Sequence, residues 1–147
     1  MTKENPFSYD DSDDSTGFLL WKTYNLWQRE IRRSLKEFNL THTQFAILAS
    51  THWLTIQRDE VTQVEVAENA KIDVMLTSNV IRALEKRALV IREAHSTDTR
   101  AKKVLLTPTG FEVLKKAVIK VEDFDRAFFS KLADAKTFNK ELISLTD

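Results

Sequence analysis

The sequence has no cysteine, and only two glycines and two prolines among its 147 residues. Without a thiol, redox sensing at Cys, thiolate zinc sites and cysteine nucleophiles are all excluded. Gly17 and Gly110 stand far apart, so neither a P-loop nor a dinucleotide fingerprint is present. The three histidines, His42, His52 and His95, are scattered and show no carboxylate pattern of a metal site, so no cofactor is expected. There is no nucleophile elbow and no pair of carboxylates in an apolar setting, which leaves no basis for an enzyme. No apolar run approaches the ~18 residues of a membrane span, and no signal-peptide pattern is seen. The expectation is a soluble, cytoplasmic protein without a membrane partner.

What is present suits a mostly helical domain. Hydrophobic residues make up 42%, with nine Phe and three Trp, enough for a sizeable core. So few breakers among many Leu, Lys, Glu and Ala favour helix. The net charge is zero, but the charge is unevenly spread. Residues 1–16 carry one Lys against five acids, and residues 71–110 carry eight bases against four acids. A local basic segment matters more to a polyanionic partner than the total does.

Residues 1–16 lack an apolar period and read as an acidic flexible tail or a loosely docked arm. Residues 17–38 read as a long helix with Phe18, Leu20, Trp21, Tyr24, Leu26, Trp27, Ile31, Leu35 and Phe38. That is too many apolar groups for one stripe, so a second chain is expected to cover part of it. Thr41 with Gln44 fits a capping box, with Thr43 as the alternative cap. Thr62 with Glu65 is a second box, opening a short helix that ends near Lys71. Asp73 then caps a longer helix to Lys86. Two capped helices joined by a short turn make a helix-turn-helix pattern. At 100° per residue, Thr77, Val80, Ile81 and Leu84 share one arc of that second helix. Met75, Ser78, Asn79, Arg82 and Lys86 share the opposite arc. Strands are expected at 89–93 and 102–107, with residues 94–101 as the loop between them. Thr107-Pro108 then opens a long helix.

Taken in order, Thr62–Ala70, Asp73–Lys86, Leu84-Glu85-Lys86-Arg87-Ala88-Leu89-Val90, Asp98-Thr99-Arg100-Ala101-Lys102 and Val104-Leu105-Leu106-Thr107-Pro108 resemble the MarR family of bacterial winged-helix transcription regulators. The resemblance covers roughly residues 17–145. It implies a mainly α (α+β) winged helix-turn-helix fold. Residues 41–107 would form the DNA-binding domain, and 17–40 with 108–147 an intertwined dimerisation region. It further implies a homodimer on a pseudo-palindromic operator, with 73–86 as recognition helix and Arg100 reading a minor groove. Many relatives are repressors released by a small aromatic or anionic effector. The family usually has Gly where this chain has Ala88, so either Ala88 is strained or the helix ends differently.

The candidate DNA contacts are therefore Thr62, Met75, Ser78, Asn79, Arg82, Lys86, Asp98, Arg100 and Lys102. Asn and Arg pair with adenine and guanine edges, and Met75 either meets a thymine methyl or packs beside the turn. Thr62 is a cap whose helix N-terminus also suits a phosphate. Asp98 is expected to orient the Arg100 guanidinium. Lys102 and Lys103 point to opposite faces of a strand, and Lys102 is the one expected at the phosphates. Trp21, Tyr24, Trp27, His42, Phe45 and Trp53 are effector-pocket candidates, although such aromatics more often serve a core. A winged-helix protein–protein module without specific DNA binding is the alternative reading.

Overall fold

The computed structural model describes residues 2–147. Ahead of the first long helix lies one 3-10 turn, Ser12–Asp14, capped by the Asp11 side chain. Lys22 reaches back to Asp13 at 3.4 Å, so this acidic stretch lies against the helix that follows.

Helix α1, Thr16–Leu35, starts at Ser15, whose hydroxyl accepts from the Phe18 amide. Ile31 and Leu35 are buried, whereas Phe18, Leu19, Leu20, Trp21, Tyr24 and Leu26 are exposed. Helix α2, His42–Gln57, opens with the Thr41–Gln44 capping box, both halves of which form at 3.0 Å. Helix α3, Gln63–Ala70, opens with the Thr62–Glu65 box. Helix α4, Val74–Lys86, is capped by Asp73, whose carboxylate accepts from the Leu76 amide at 2.9 Å. Each box satisfies amides that a helix start leaves without partners.

Strands β1, Val90–Ala94, and β2, Lys102–Leu106, form an antiparallel hairpin with Val90 opposite Leu106 and Ala94 opposite Lys102. Both lie within one residue of the expected bounds. The chain entering α3 edges this sheet, since the Val104 amide donates to the Val61 carbonyl at 2.7 Å. Helix α5, Pro108–Phe129, has Thr107 as its cap and Pro108 in its first turn. Helix α6, Ala135–Thr146, completes the fold.

One core runs through the molecule. Ile31 and Leu35 of α1 join Ile47, Leu48 and Leu54 of α2, Val66 of α3, and Ile81 and Leu84 of α4. Val90, Val104 and Leu114 close it from the hairpin and α5. Of the α4 arc read as core, Thr77, Ile81 and Leu84 are buried and Val80 is half-buried. Burial at this period seats α4 with its other face outward.

The end of α4 settles the question raised by Ala88, which sits at φ 57° in the left-handed region. The Leu89 amide donates to the Leu84 carbonyl at 3.0 Å and the Ala88 amide to Glu85 at 2.9 Å. This is a Schellman end built without glycine. Gly110 is needed for a different reason. A Cβ there would lie 1.9 Å from the Leu89 carbonyl oxygen, so α5 touches the root of the hairpin backbone to backbone.

Candidate nucleic-acid interface

The outward face of α4 carries Met75, Asn79, Arg82 and Lys86, all exposed, with Ser78 half-buried at its edge. Met75 is 74% exposed, and its neighbours Val74 and Leu76 are also open to solvent. Three consecutive exposed apolar side chains at a helix start are costly unless something covers them. Thr62 lies at the start of α3, with its hydroxyl accepting from the Glu65 amide at 3.2 Å.

Asp98 and Arg100 lie in the hairpin loop, and Lys102 opens β2. All three are exposed. The expected pairing of Asp98 with the Arg100 guanidinium is not what the structure contains. Asp98 Oδ1 accepts instead from the Arg100 backbone amide at 3.0 Å, and the Ala101 amide donates to the Asp98 carbonyl at 3.1 Å. A short acidic side chain satisfies a nearby backbone amide more readily than it waits for a long flexible partner. Asp98 thus shapes the turn and leaves the guanidinium free.

Apart from Lys71, at the end of α3, the basic residues of 71–110 divide into two sets. Arg92 reaches Glu85 at 3.0 Å, and this contact holds the Glu85 carboxyl below the usual carboxylate range. Lys103 lies 3.4 Å from Glu60 and 3.3 Å from Glu93, and these bonds, Glu93 first, raise its pKa. Arg87 donates to the carbonyls of Asn39 and Phe38, tying the end of α4 to the end of the α1 segment. By contrast Arg82, Lys86, Arg100 and Lys102 form no ion pair among the described residues. These are the four cations at the exposed α4 face and wing. Of the two adjacent lysines, Lys103 is the one held in ion pairs.

Glu60, His95 and Lys103 were not among the expected site residues. Glu60 accepts from the Ser96 hydroxyl at 2.7 Å and the Ser96 amide at 3.2 Å, and lies 3.1 Å from His95 Nε2. Lys103 and Glu60 are 43 positions apart in sequence, and no local pattern connects them.

The aromatic candidates do not converge on one cavity. Tyr24 and His42 both approach Trp27, with His42 edge-on at 5.1 Å between ring centres. Trp27 Nε1 donates to Asp125 at 2.8 Å, joining α1 to α5. Burial pushes the His42 pKa down against the opposing pull of Asp125, with Arg32 adding to the lowering. Phe45 packs on the core, Trp21 is exposed, and Trp53 lies beside Ala46, Ala49, Asn69 and Ala70, away from that cluster. Asp125 was the member that sequence periodicity left out. Among the described residues, no group of His, Asp and Glu is arranged to hold a metal ion, and no helix is long and apolar enough to cross a membrane.

A helix-turn-helix with an exposed polar helix face beside a basic hairpin defines a winged-helix DNA-binding protein. Comparison with known proteins refines this class. The model of the MarR family matches residues 40–102. The HTH-type transcriptional regulator YdcH of Bacillus subtilis (strain 168) is 36% identical over 124 residues, covering 84% of each chain. CouR from Rhodococcus jostii RHA1, solved with p-coumaroyl-CoA, superposes with a TM-score of 0.83 at 22% identity, over 94% of this chain and 96% of CouR. The S. aureus MepR–DNA complex gives a TM-score of 0.76 at 21% identity, over 92% of this chain and 99% of MepR. The chain belongs to the MarR family and is a DNA-binding transcriptional regulator of the winged-helix type.

Proposed function

We propose that the protein acts as a homodimeric repressor of a pseudo-palindromic operator and leaves it when a small aromatic or anionic molecule binds. The observation that carries the DNA part is the exposed set Arg82, Lys86, Arg100 and Lys102, on α4 and the hairpin, with no ion pair among the described residues. α4 enters the major groove, where Asn79 and Arg82 read base edges. The wing places Arg100 in the flanking minor groove, where a narrow A·T-rich groove attracts a cation. Thr62 and Lys102 meet phosphates, and Asp98 serves by shaping the loop that bears Arg100.

The dimer part rests on apolar surface that one chain leaves open. The exposed face of α1 from Phe18 to Leu26 and the groove between α5 and α6, lined by Phe129, Leu132, Phe138 and Leu142, are the surfaces a second copy covers. The effector part rests on the cluster of Tyr24, Trp27 and His42 with Asp125, which lies where three helices meet. An aromatic ring with an anionic or phenolic group suits rings beside a histidine and Arg32. CouR, solved with p-coumaroyl-CoA, gives a precedent in a related fold.

Selection of random duplexes by the purified protein at physiological salt tests the reading. Recovery of an inverted repeat with half-sites about one helical turn apart supports it. Recovery of no motif from a folded dimer favours the interaction-module reading. Titration of the protein–duplex complex with aromatic carboxylates and phenols tests the effector part, and no release across a broad panel overturns it.

A further inference from the structure

We propose that His95 is the positioning residue of the wing tip. Its Nδ1 accepts from the loop amides and so holds the turn that presents Arg100. The inference rests on the reading of Arg100 as a DNA contact.

The amides of Asp98 and Thr97 donate to Nδ1 at 3.1 and 3.3 Å, and the Thr97 hydroxyl lies 3.3 Å from it. Backbone N–H groups donate only to a lone pair, so the ring is the tautomer carrying its hydrogen on Nε2. That edge faces Glu60 Oε2 at 3.1 Å. Glu60 is a fixed anion. The Ser96 hydroxyl bond is the foremost cause of its lowered pKa, with smaller contributions from the Ser96 amide, His95 and Lys103. Its segment is in turn pinned to β2 through the Val104–Val61 hydrogen bond.

The result is a relay of short contacts. The sheet edge fixes Glu60, Glu60 faces the imidazole, and the imidazole gathers two amides of the loop. Asp98, whose amide is one of them, then receives the Arg100 amide. The Arg100 side chain is left free while its backbone is held at both neighbours. This is the arrangement needed to aim a long cation without occupying its head group.

The charged groups around the ring are Glu60 from the loop before α3, Lys103 from β2, Glu93 from β1 behind Lys103, and Asp98 in the wing.

The test uses the full chain and the duplex recovered by in vitro selection. His95→Ala removes the acceptor. His95→Asn places an amide oxygen near the Nδ1 position. H95A is expected to bind about tenfold more weakly than wild type, and H95N, which restores an acceptor, within about twofold. Amide exchange in the free protein is expected to speed up at Thr97 and Asp98 in H95A alone, with the core amides unchanged.

Equal binding by wild type and H95A, or H95N binding as weakly as H95A, overturns the inference and leaves the DNA reading standing. Failure of the selection to yield any duplex overturns both.

Discussion

Ala88 holds a backbone conformation that disfavours any side chain with a Cβ. It shares this with Asn39 and Lys71, at φ 53° and 54°, and neither glycine of the chain stands at any of the three. The left-handed conformation costs an L-residue about 1 kcal/mol. Ala88→Gly is therefore expected to stabilise the fold by about 1 kcal/mol, read as a higher urea midpoint at unchanged m-value. At the interface, Arg100→Ala is expected to weaken binding to the selected duplex by about 1–3 kcal/mol while the dimer persists. Unchanged affinity would remove the wing from the interface. Met75, exposed at the start of α4, suits a thymine methyl. Replacing thymine by uracil in the selected half-site should weaken wild type and leave Met75→Ala unaffected, and equal sensitivity of the two would assign Met75 no such role. The identities of the exposed α4 residues were legible because helical phase alone separates them from Ile81 and Leu84. The role of Asp98 was not, because charge suggests a side-chain pair where the loop offers a nearer amide. His95 and Glu60 were illegible for a further reason, since their meeting depends on how the chain before α3 edges the hairpin.

Helix starts were the most legible elements. Thr41 with Gln44, Thr62 with Glu65, Asp73 and Thr107 each cap the helix that the sequence assigns to them. Such motifs span four residues, so their physics is local. The over-apolar character of α1 was equally legible, because its surplus faces remain exposed in the single chain. The break between α5 and α6 was not, as residues 130–134 contain neither Gly nor Pro. The junction of α5 with the hairpin also depends on contacts distant in sequence. The Thr107 amide donates to the Leu89 carbonyl at 3.0 Å and its hydroxyl to the Ala88 carbonyl at 2.6 Å. Gly110→Ala drives a methyl into the Leu89 carbonyl, which is backbone and cannot swing aside. The variant is expected to lose on the order of 1–3 kcal/mol of stability by thermal or urea unfolding. An unchanged midpoint would mean that α5 can slide at its start.

For the molecule as a whole, acid acts in two stages. Burial keeps the His42 pKa below the ordinary histidine value of about 6.5, so the unfolded chain takes up this proton first. Stability is thus expected to decline as pH falls through about 6.5, and His42→Gln should flatten that part of the profile. Glu60, Glu65 and Glu85 have lowered pKa values, caused first by Ser96, Thr62 and Arg92 respectively. Their contribution is complete above the ordinary carboxylate range and disappears as pH falls through the lowered folded values. Urea midpoints taken from about pH 8 to about pH 3 should show both declines, and a flat upper region in wild type would remove His42 from this account. The contact at Gly110 has a mechanical side as well. α5 has 22 residues and is about 33 Å long, with Trp27 holding Asp125 near one end and Leu89 bearing on Gly110 near the other. A tilt of about 3° about Asp125, roughly 15 residues and 22 Å from Gly110, carries Gly110 through about 1.2 Å. With no side chain between them to absorb it, that travel arrives at the wing root in full. α5 thus links the Trp27–Asp125 contact to the hairpin root through one rigid rod that ends on a contact with no side chain to give.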